Sequence, residues 1–478
     1  MESANEIIGS EHSNRGTSPS TAHVPGATRQ PIVILCDGTW CGRETGTETN
    51  IYRLANIFGI PTGDPDSEDE HKQTQGNIIG RYRNGVGLNS TLIDYFFNGI
   101  TAQDLAVECT SVYKFIVEHY TPDHEIWLFG LSRGAYTVRC VAGMINNCGI
   151  LKLRDGVCPH NLDTFCKAVY RRYRSRHLIN HPRSEQSIQF RRAKSWPLIG
   201  DEEEGEPRRP PPVRFMGILD TVGSLGIPNF TGGVGLEWPE FYDNVVSSVV
   251  QEVGHLVSQH DRLYIFQPCL ASRKCDRHQR PEQCDSDCRA SWGIREHWLP
   301  GMHYDLGRQR FRFWRIGTTW MEKWFARCSL VVEPNQVLAD LALYKMLTLM
   351  PEINDARVEQ AVSAQIALLS QSMRAPGMYK GSGDVYDKIL EYGPFGRLLR
   401  KWRALYWGIE KLIATAPALW ELFFARRCRL IPDAQATVFD YDVPFSPISE
   451  TRSFDELADI SAERYPSNAV QVWRWARA

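Results

Sequence analysis

The chain has no apolar run of the roughly eighteen residues needed to cross a bilayer as a helix, which excludes an integral membrane protein of that kind. Its opening stretch, MESANEIIGSEHSNRGTSPSTAHVPGATRQ, has no apolar h-region, so no secretory leader is expected. Neither charge sign dominates: 54 Lys and Arg stand against 56 Asp and Glu. That balance removes the global electrostatic reason to expect a nucleic-acid partner. Three motifs are also absent: a phosphate-binding P-loop, a G-x-G-x-x-G turn after a strand, and H-E-x-x-H. No internal repeat is present. The thirteen cysteines are odd in number and scattered, and Cys109, Cys140 and Cys166 fall inside helical patterns, where thiols behave as small apolar side chains. These absences set the expectation of a cytoplasmic protein with reduced thiols.

What is there is ample for a large core: 478 residues, 42% hydrophobic and 11% aromatic. After a polar tail (1–29), expected to be disordered, PIVILC (31–36) reads as a strand buried on both faces. A helix at 50–59 follows, then a strand entering a Gly-rich turn at 78–87. An amphipathic helix spans 102–120, and EIWLFG (125–130) is another buried-strand pattern. Helices are expected from Ser132 to about Asn147 and over 162–176, before another buried strand, VRFMGILD (213–220). This alternation predicts an α/β fold, a mostly parallel sheet with helices on both faces. The polar, Pro-rich stretch 181–212 and the loop 273–291 read as surface insertions. Helical patterns recur at 337–350 and 357–373, so the catalytic domain is bounded at 30–350 and followed by a helical C-terminal extension, 351–478.

The sharpest local signal is Gly130-Leu131-Ser132-Arg133-Gly134. G-x-S-x-G alone is a weak pattern, but here a buried strand precedes it and AYTVRCVAGMI follows. That strand–turn–helix setting exposes a nucleophilic serine, as in the α/β-hydrolases. The glycines permit a tight turn, and the helix N-terminus favours a developing oxyanion. The competing reading is a helix-capping serine without chemistry. A nucleophilic serine needs a base and the base an orienting acid, in the chain order Ser, Asp or Glu, His. Asp220 closes the strand VRFMGIL at the sheet edge where such folds build sites; its ordinary alternative is a turn or cap. His255, His260, His278, His297 and His303 follow it. His255 and His260 read as packing or surface residues on or after a helix. His303, in a loop beyond the strand that carries His297, is preferred as the base.

Two further segments carry chemistry-bearing residues. Cys275, His278, Cys284 and Cys288 have the residue types for a structural zinc site, but their spacing fits no well-known finger, and unpaired loop cysteines are the preferred reading. The segment 395–430 interleaves Arg397, Arg400, Lys401 and Arg403 with Trp402, Tyr406 and Trp407. It suits either peripheral contact with anionic lipid or, preferred, two helices burying their aromatics.

The pieces CDGTW (36–40), NIYRLA (50–55), NGVG (84–87), FGLSRGAYTVRCVAGMINNCGIL (129–151), LDTVGSLG (219–226) and LPGMHYDLG (299–307) resemble a family of α/β-hydrolase domains. That family includes the phospholipase effectors of bacterial type VI secretion and many fungal proteins. The resemblance implies a triad of Ser132, Asp220 and His303, with Gly38 and Thr39 lining the site. By hydrolase logic the backbone N–H of Arg133 is an oxyanion donor. Two departures are visible: Arg308 stands where the family usually has a second glycine, and 255–273 matches only loosely. The expected reaction is cleavage of a carboxylic ester, in a small-molecule or lipid substrate, through an acyl-enzyme and without a cofactor. A thioesterase or other hydrolase acting on a biosynthetic intermediate, or a non-catalytic interaction protein on the same fold, are the alternatives.

Overall fold

A continuous apolar strand is stable only when both faces of its sheet are covered, and PIVILC meets that condition in the computed structural model of the chain. The residues described are 29–38, 48–62, 76–85, 102–153, 159–175, 177–198, 209–222, 245–262, 268–273, 293–311, 319–373, 381–385, 392 and 437–438. Thr39, the residues Cys275, His278, Cys284 and Cys288, and the segment 395–430 lie outside them.

The strands are β1 (Gln30–Cys36), β2 (Ile79–Arg83), β3 (His124–Leu131), β6 (Val213–Leu219), β7 (Val250–Ser258), β8 (Ile294–Leu299) and β9 (Thr437–Val438), ordered β2-β1-β3-β6-β7-β8-β9 in one sheet. Every pairing in that sheet is parallel. A separate antiparallel pair joins β4 (Ile150–Leu151) to β5 (Ser195–Trp196).

Alternate residues of β1 enter opposite cores. Ile32, Ile34 and Cys36 pack with α2 (Ala102–His119), α3 (Arg133–Cys148) and α4 (Leu162–Tyr173). Val33 and Leu35 pack with α1 (Asn50–Phe58), α8 (Gln336–Leu349) and α9 (Ala356–Ser372). So α9, which the sequence places in the C-terminal extension, shares the core of the catalytic sheet through Val358, Val362 and Ile366. Thr437–Val438 also pairs with β8 and adds an edge strand. Within the polar stretch 181–212, α5 (Glu185–Lys194) is capped by Ser184, whose side chain accepts the Ser187 N–H.

The cysteines named in the helical patterns are free and buried. Burial pushes the Cys36, Cys148 and Cys166 thiols up to about 12, so they stay protonated and act as packing groups.

One local reading is overturned. His255 and His260 do not sit on or after a helix: VQEVGHLVS is strand β7, and both histidines are fully buried. Valine's β-branched side chain restricts χ1 and fits the pleated surface, and partners on both sides, β6 and β8, decide the matter.

The chain leaves β1 for β2 on one side and then crosses to β3 on the other. This makes the carboxyl ends of β1 and β3 a topological switch point, the place where open α/β sheets build their binding crevices. At that point α3 starts close against β1. A Cβ on Gly134 would strike the Cys36 carbonyl oxygen and come within 2.6 Å of the Asp37 oxygen. Gly134→Ala is therefore expected to destabilise the fold by about 1–3 kcal/mol. A denaturation midpoint equal to wild type would contradict this packing.

Candidate active site

Ser132 follows β3 directly, with φ 55° and ψ −117°. A non-glycine residue in that region is strained and needs its surroundings to hold it. Its N–H donates to the Leu219 carbonyl at 2.9 Å, and its own carbonyl accepts the Tyr136 N–H. Gly130 admits the turn, since a Cβ there would lie 2.5 Å from the Ala135 nitrogen. The serine is 5% exposed and opens α3. Arg133, the first residue of α3, has no intrahelical acceptor for its N–H. Its guanidinium turns to Glu108 of α2 at 3.3 Å, with Nη1 buried and unbonded.

Asp220 sits at the end of β6, also with positive φ (41°) and fully buried. Three donors converge on its carboxylate. The Ser258 N–H and hydroxyl each donate at 3.0 Å, and His303 Nδ1 lies 2.6 Å from Oδ2. His303 is 3% exposed and begins the short helix α6 (His303–Leu306) beyond β8. Its N–H donates to Asp261 Oδ2 at 3.0 Å. Asp305 acts as a turn residue, accepting the N–H groups of Met302 (2.9 Å) and Asn335 (2.7 Å). His260 accepts the Gly301 N–H through Nδ1 at 2.8 Å and so ties the ends of β7 and β8 together.

The other histidines are employed elsewhere. His255 bonds Glu296 at 3.1 Å. His297 is held down to about 3, first by burial and then by the charges of Lys345 and Arg295, which makes it a poor proton acceptor. His278 lies outside the described residues.

At the β1 end, Gly38 lies against the serine: a Cβ there would lie 3.1 Å from Ser132 Cβ. Its N–H is already donated to Asp37 Oδ1 at 2.8 Å. Asp37 is fixed in turn by the Tyr82 hydroxyl at 2.7 Å and by Thr49. Arg308, the departure noted in the sequence, keeps a left-handed backbone with φ 54°, the conformation that a glycine adopts without strain. Its guanidinium holds the turn by donating to the Glu48 carbonyl (2.6 Å) and to Gln336 Oε1 (3.0 Å).

Sequence reasoning missed Ser258 and Asp261. The available signal was the polar run Ser258-Gln259-His260-Asp261 closing a valine-rich segment, which a helical reading hid.

A parallel sheet with a strained serine turn after its third strand, and with an acid and a histidine joined at the ends of later strands, defines an α/β-hydrolase-like protein. The chain belongs to the family described as type VI secretion system phospholipase effector Tle1-like, catalytic domain, which its residues 30–343 match. It is also similar to the uncharacterized protein YEL023C of Saccharomyces cerevisiae, 26% identical over 275 residues. That match takes in 55% of this chain and 36% of the yeast protein, so only about a third of the relative's length is covered. Among solved structures, the Tle1 effector bound to the VgrG spike of the type 6 secretion system overlays at a TM-score of 0.28 with 17% identity, over 75% of this chain and 82% of that one. An uncharacterized protein from Pseudomonas aeruginosa overlays at 0.31 with 14% identity, over 74% and 52% of the two chains. Among the described residues, no helix is long and apolar enough to cross a membrane.

Two measurements check this geometry. The His303 Nδ1 proton, held against a buried carboxylate, should give a strongly downfield resonance that disappears in Asp220→Ala. Its persistence there would mean a different partner. His297 titrates near 3 in the fold against an ordinary 6.5, so the unfolded chain binds the extra proton between those values. Its contribution to stability is whole above pH 6.5 and is lost as pH falls toward 3. His297→Gln should flatten the acid side of the stability profile, and an unchanged profile would contradict the burial argument.

Proposed function

We propose that this protein is a serine hydrolase that cleaves carboxylic esters, with a lipid ester as the leading substrate class. The observation that carries the reading is the 2.6 Å bond between His303 Nδ1 and Asp220. The bond lies at the carboxyl edge of the sheet, where Asp220 ends β6 and Ser132 follows the neighbouring β3, its N–H donating to the Leu219 carbonyl. Asp220 accepts the Nδ1 proton, which leaves the lone pair on Nε2 and fixes the tautomer that a general base needs.

In this mechanism Ser132 Oγ attacks the ester carbonyl while His303 Nε2 takes its proton. The oxyanion is met by the Arg133 N–H at the positive end of α3. Collapse expels the alcohol, which receives the proton from His303, and leaves an acyl-enzyme on Ser132. Water, activated by the same imidazole, then releases the acid. Gly38 stands at the β1 end of the site, against Ser132. The lipid preference draws on the family, whose description names phospholipase effectors.

Ser132→Ala should reduce turnover of an activated ester by orders of magnitude while leaving the denaturation midpoint near wild type. His303→Ala should cost about as much, because triad members act as a unit. Asp220→Asn should also be severely impaired, whereas His297→Ala should be mild. Near-normal turnover in a folded Ser132→Ala variant would end the proposal. A panel of esters and thioesters of graded chain length then separates lipid from short-chain substrates, with the highest kcat/KM expected on long acyl chains.

A further inference from the structure

The turn that follows the histidine helix brings a buried amide to the serine. Gln309 is 5% exposed, and no motif in the sequence singles it out. The point where a Gly38 Cβ would sit is 3.1 Å from Ser132 Cβ and 3.2 Å from Gln309 Nε2. The nucleophile's carbon and the amide nitrogen therefore flank one and the same spot at the end of β1. The Gly38 N–H points elsewhere, to Asp37. An amide nitrogen carries two N–H donors, so one can anchor the side chain while the other serves the crevice.

The backbone that delivers Gln309 is built with care. Its N–H donates to the Tyr304 carbonyl at 2.8 Å, and the Gly307 N–H donates to the His303 carbonyl at 3.2 Å. Between them Arg308 takes the left-handed conformation, which is strained for a non-glycine residue, and is pinned by its two side-chain bonds. One short turn, 303–309, thus carries both the histidine and the amide, and fixes their spacing.

We propose that the Gln309 side-chain amide is an oxyanion donor acting beside the Arg133 N–H, resting on the reading of Ser132 as the nucleophile. As Ser132 Oγ bonds to the carbonyl carbon, the C=O electron pair moves onto oxygen, and the Gln309 N–H hydrogen-bonds to that charge. No proton is transferred from the amide. The bond weakens again when the carbonyl re-forms and the alcohol leaves.

The test compares Gln309→Met, which fills the volume without a donor, with wild type and Ser132→Ala. A p-nitrophenyl ester and a fluorophosphonate probe serve as reactants, and a trifluoromethyl ketone as the transition-state mimic. Loss of a donor used only in the transition state should lower kcat on the order of 10²-fold with KM little changed. Ketone affinity and the rate of fluorophosphonate labelling should fall in parallel, with the denaturation midpoint and the downfield His303 proton preserved. Wild-type kcat in Gln309→Met, with Ser132→Ala inactive, overturns the amide's role alone. A fall in kcat accompanied by loss of the His303 signal or of stability also overturns it, since the residue would then be holding the turn. Turnover in Ser132→Ala would instead remove the hydrolase reading on which the proposal stands.

Discussion

Much of this structure depends on one residue being held where a side chain is rarely tolerated. Ser132 has positive φ at the junction of β3 and α3, and the strain persists because everything around it is close-packed. Gly130 lets α3 fold back onto β3, and Gly134 lets it start against the carbonyls of Cys36 and Asp37. That proximity carries the end of β1, with Gly38, to the serine. It also sets the direction of the α3 dipole and the place where the Arg133 N–H emerges. The topological switch lies between β1 and β3, and the turn places Ser132 beside it.

A second layer of constraint is polar and lies at the ends of β6, β7 and β8. Asp220, Ser258, Asp261, His260 and His303 form a run of buried groups, each bonded to a neighbour. In a low-dielectric setting such a network has few alternative arrangements, because breaking any member leaves a buried polar atom unpaired. Beyond the sheet the network continues: Arg262 pairs with Asp384 at 2.7 Å, both buried, and the Tyr304 hydroxyl donates to the Gly383 carbonyl. The segment 381–385 is therefore part of what steadies the histidine turn, although it lies well beyond β8 in sequence.

Legibility in the sequence followed the physics. Strands β1, β3 and β6 were readable because burial on two faces leaves a predominantly apolar run. The serine turn was readable because its sterics demand glycine at fixed offsets. Asp220 and His303 were reachable through strand ends and chain order. Strand β7 was not, because VVSSVVQEVGHLV carries polar residues at helix-compatible spacing and its strand state depends on partners distant in sequence. Gln309 and Ser258 were also hidden. Their neighbours in space are Gly38 and Asp220, and nothing local in either stretch encodes those contacts. The meaning of Arg308 emerged only with its backbone angle, which explains a glycine preference at that position and shows how an arginine replaces it.

In the proposed reaction the carbonyl carbon of the substrate becomes bonded to Ser132. Rapid quenching of the enzyme during turnover of an ester with a slow deacylation step, followed by proteolysis and mass spectrometry, reads this directly. An acyl mass increment is expected, confined to the peptide bearing Ser132 and appearing and decaying with the kinetics of turnover. Continued hydrolysis with no adduct, or with the increment on another residue, would contradict it.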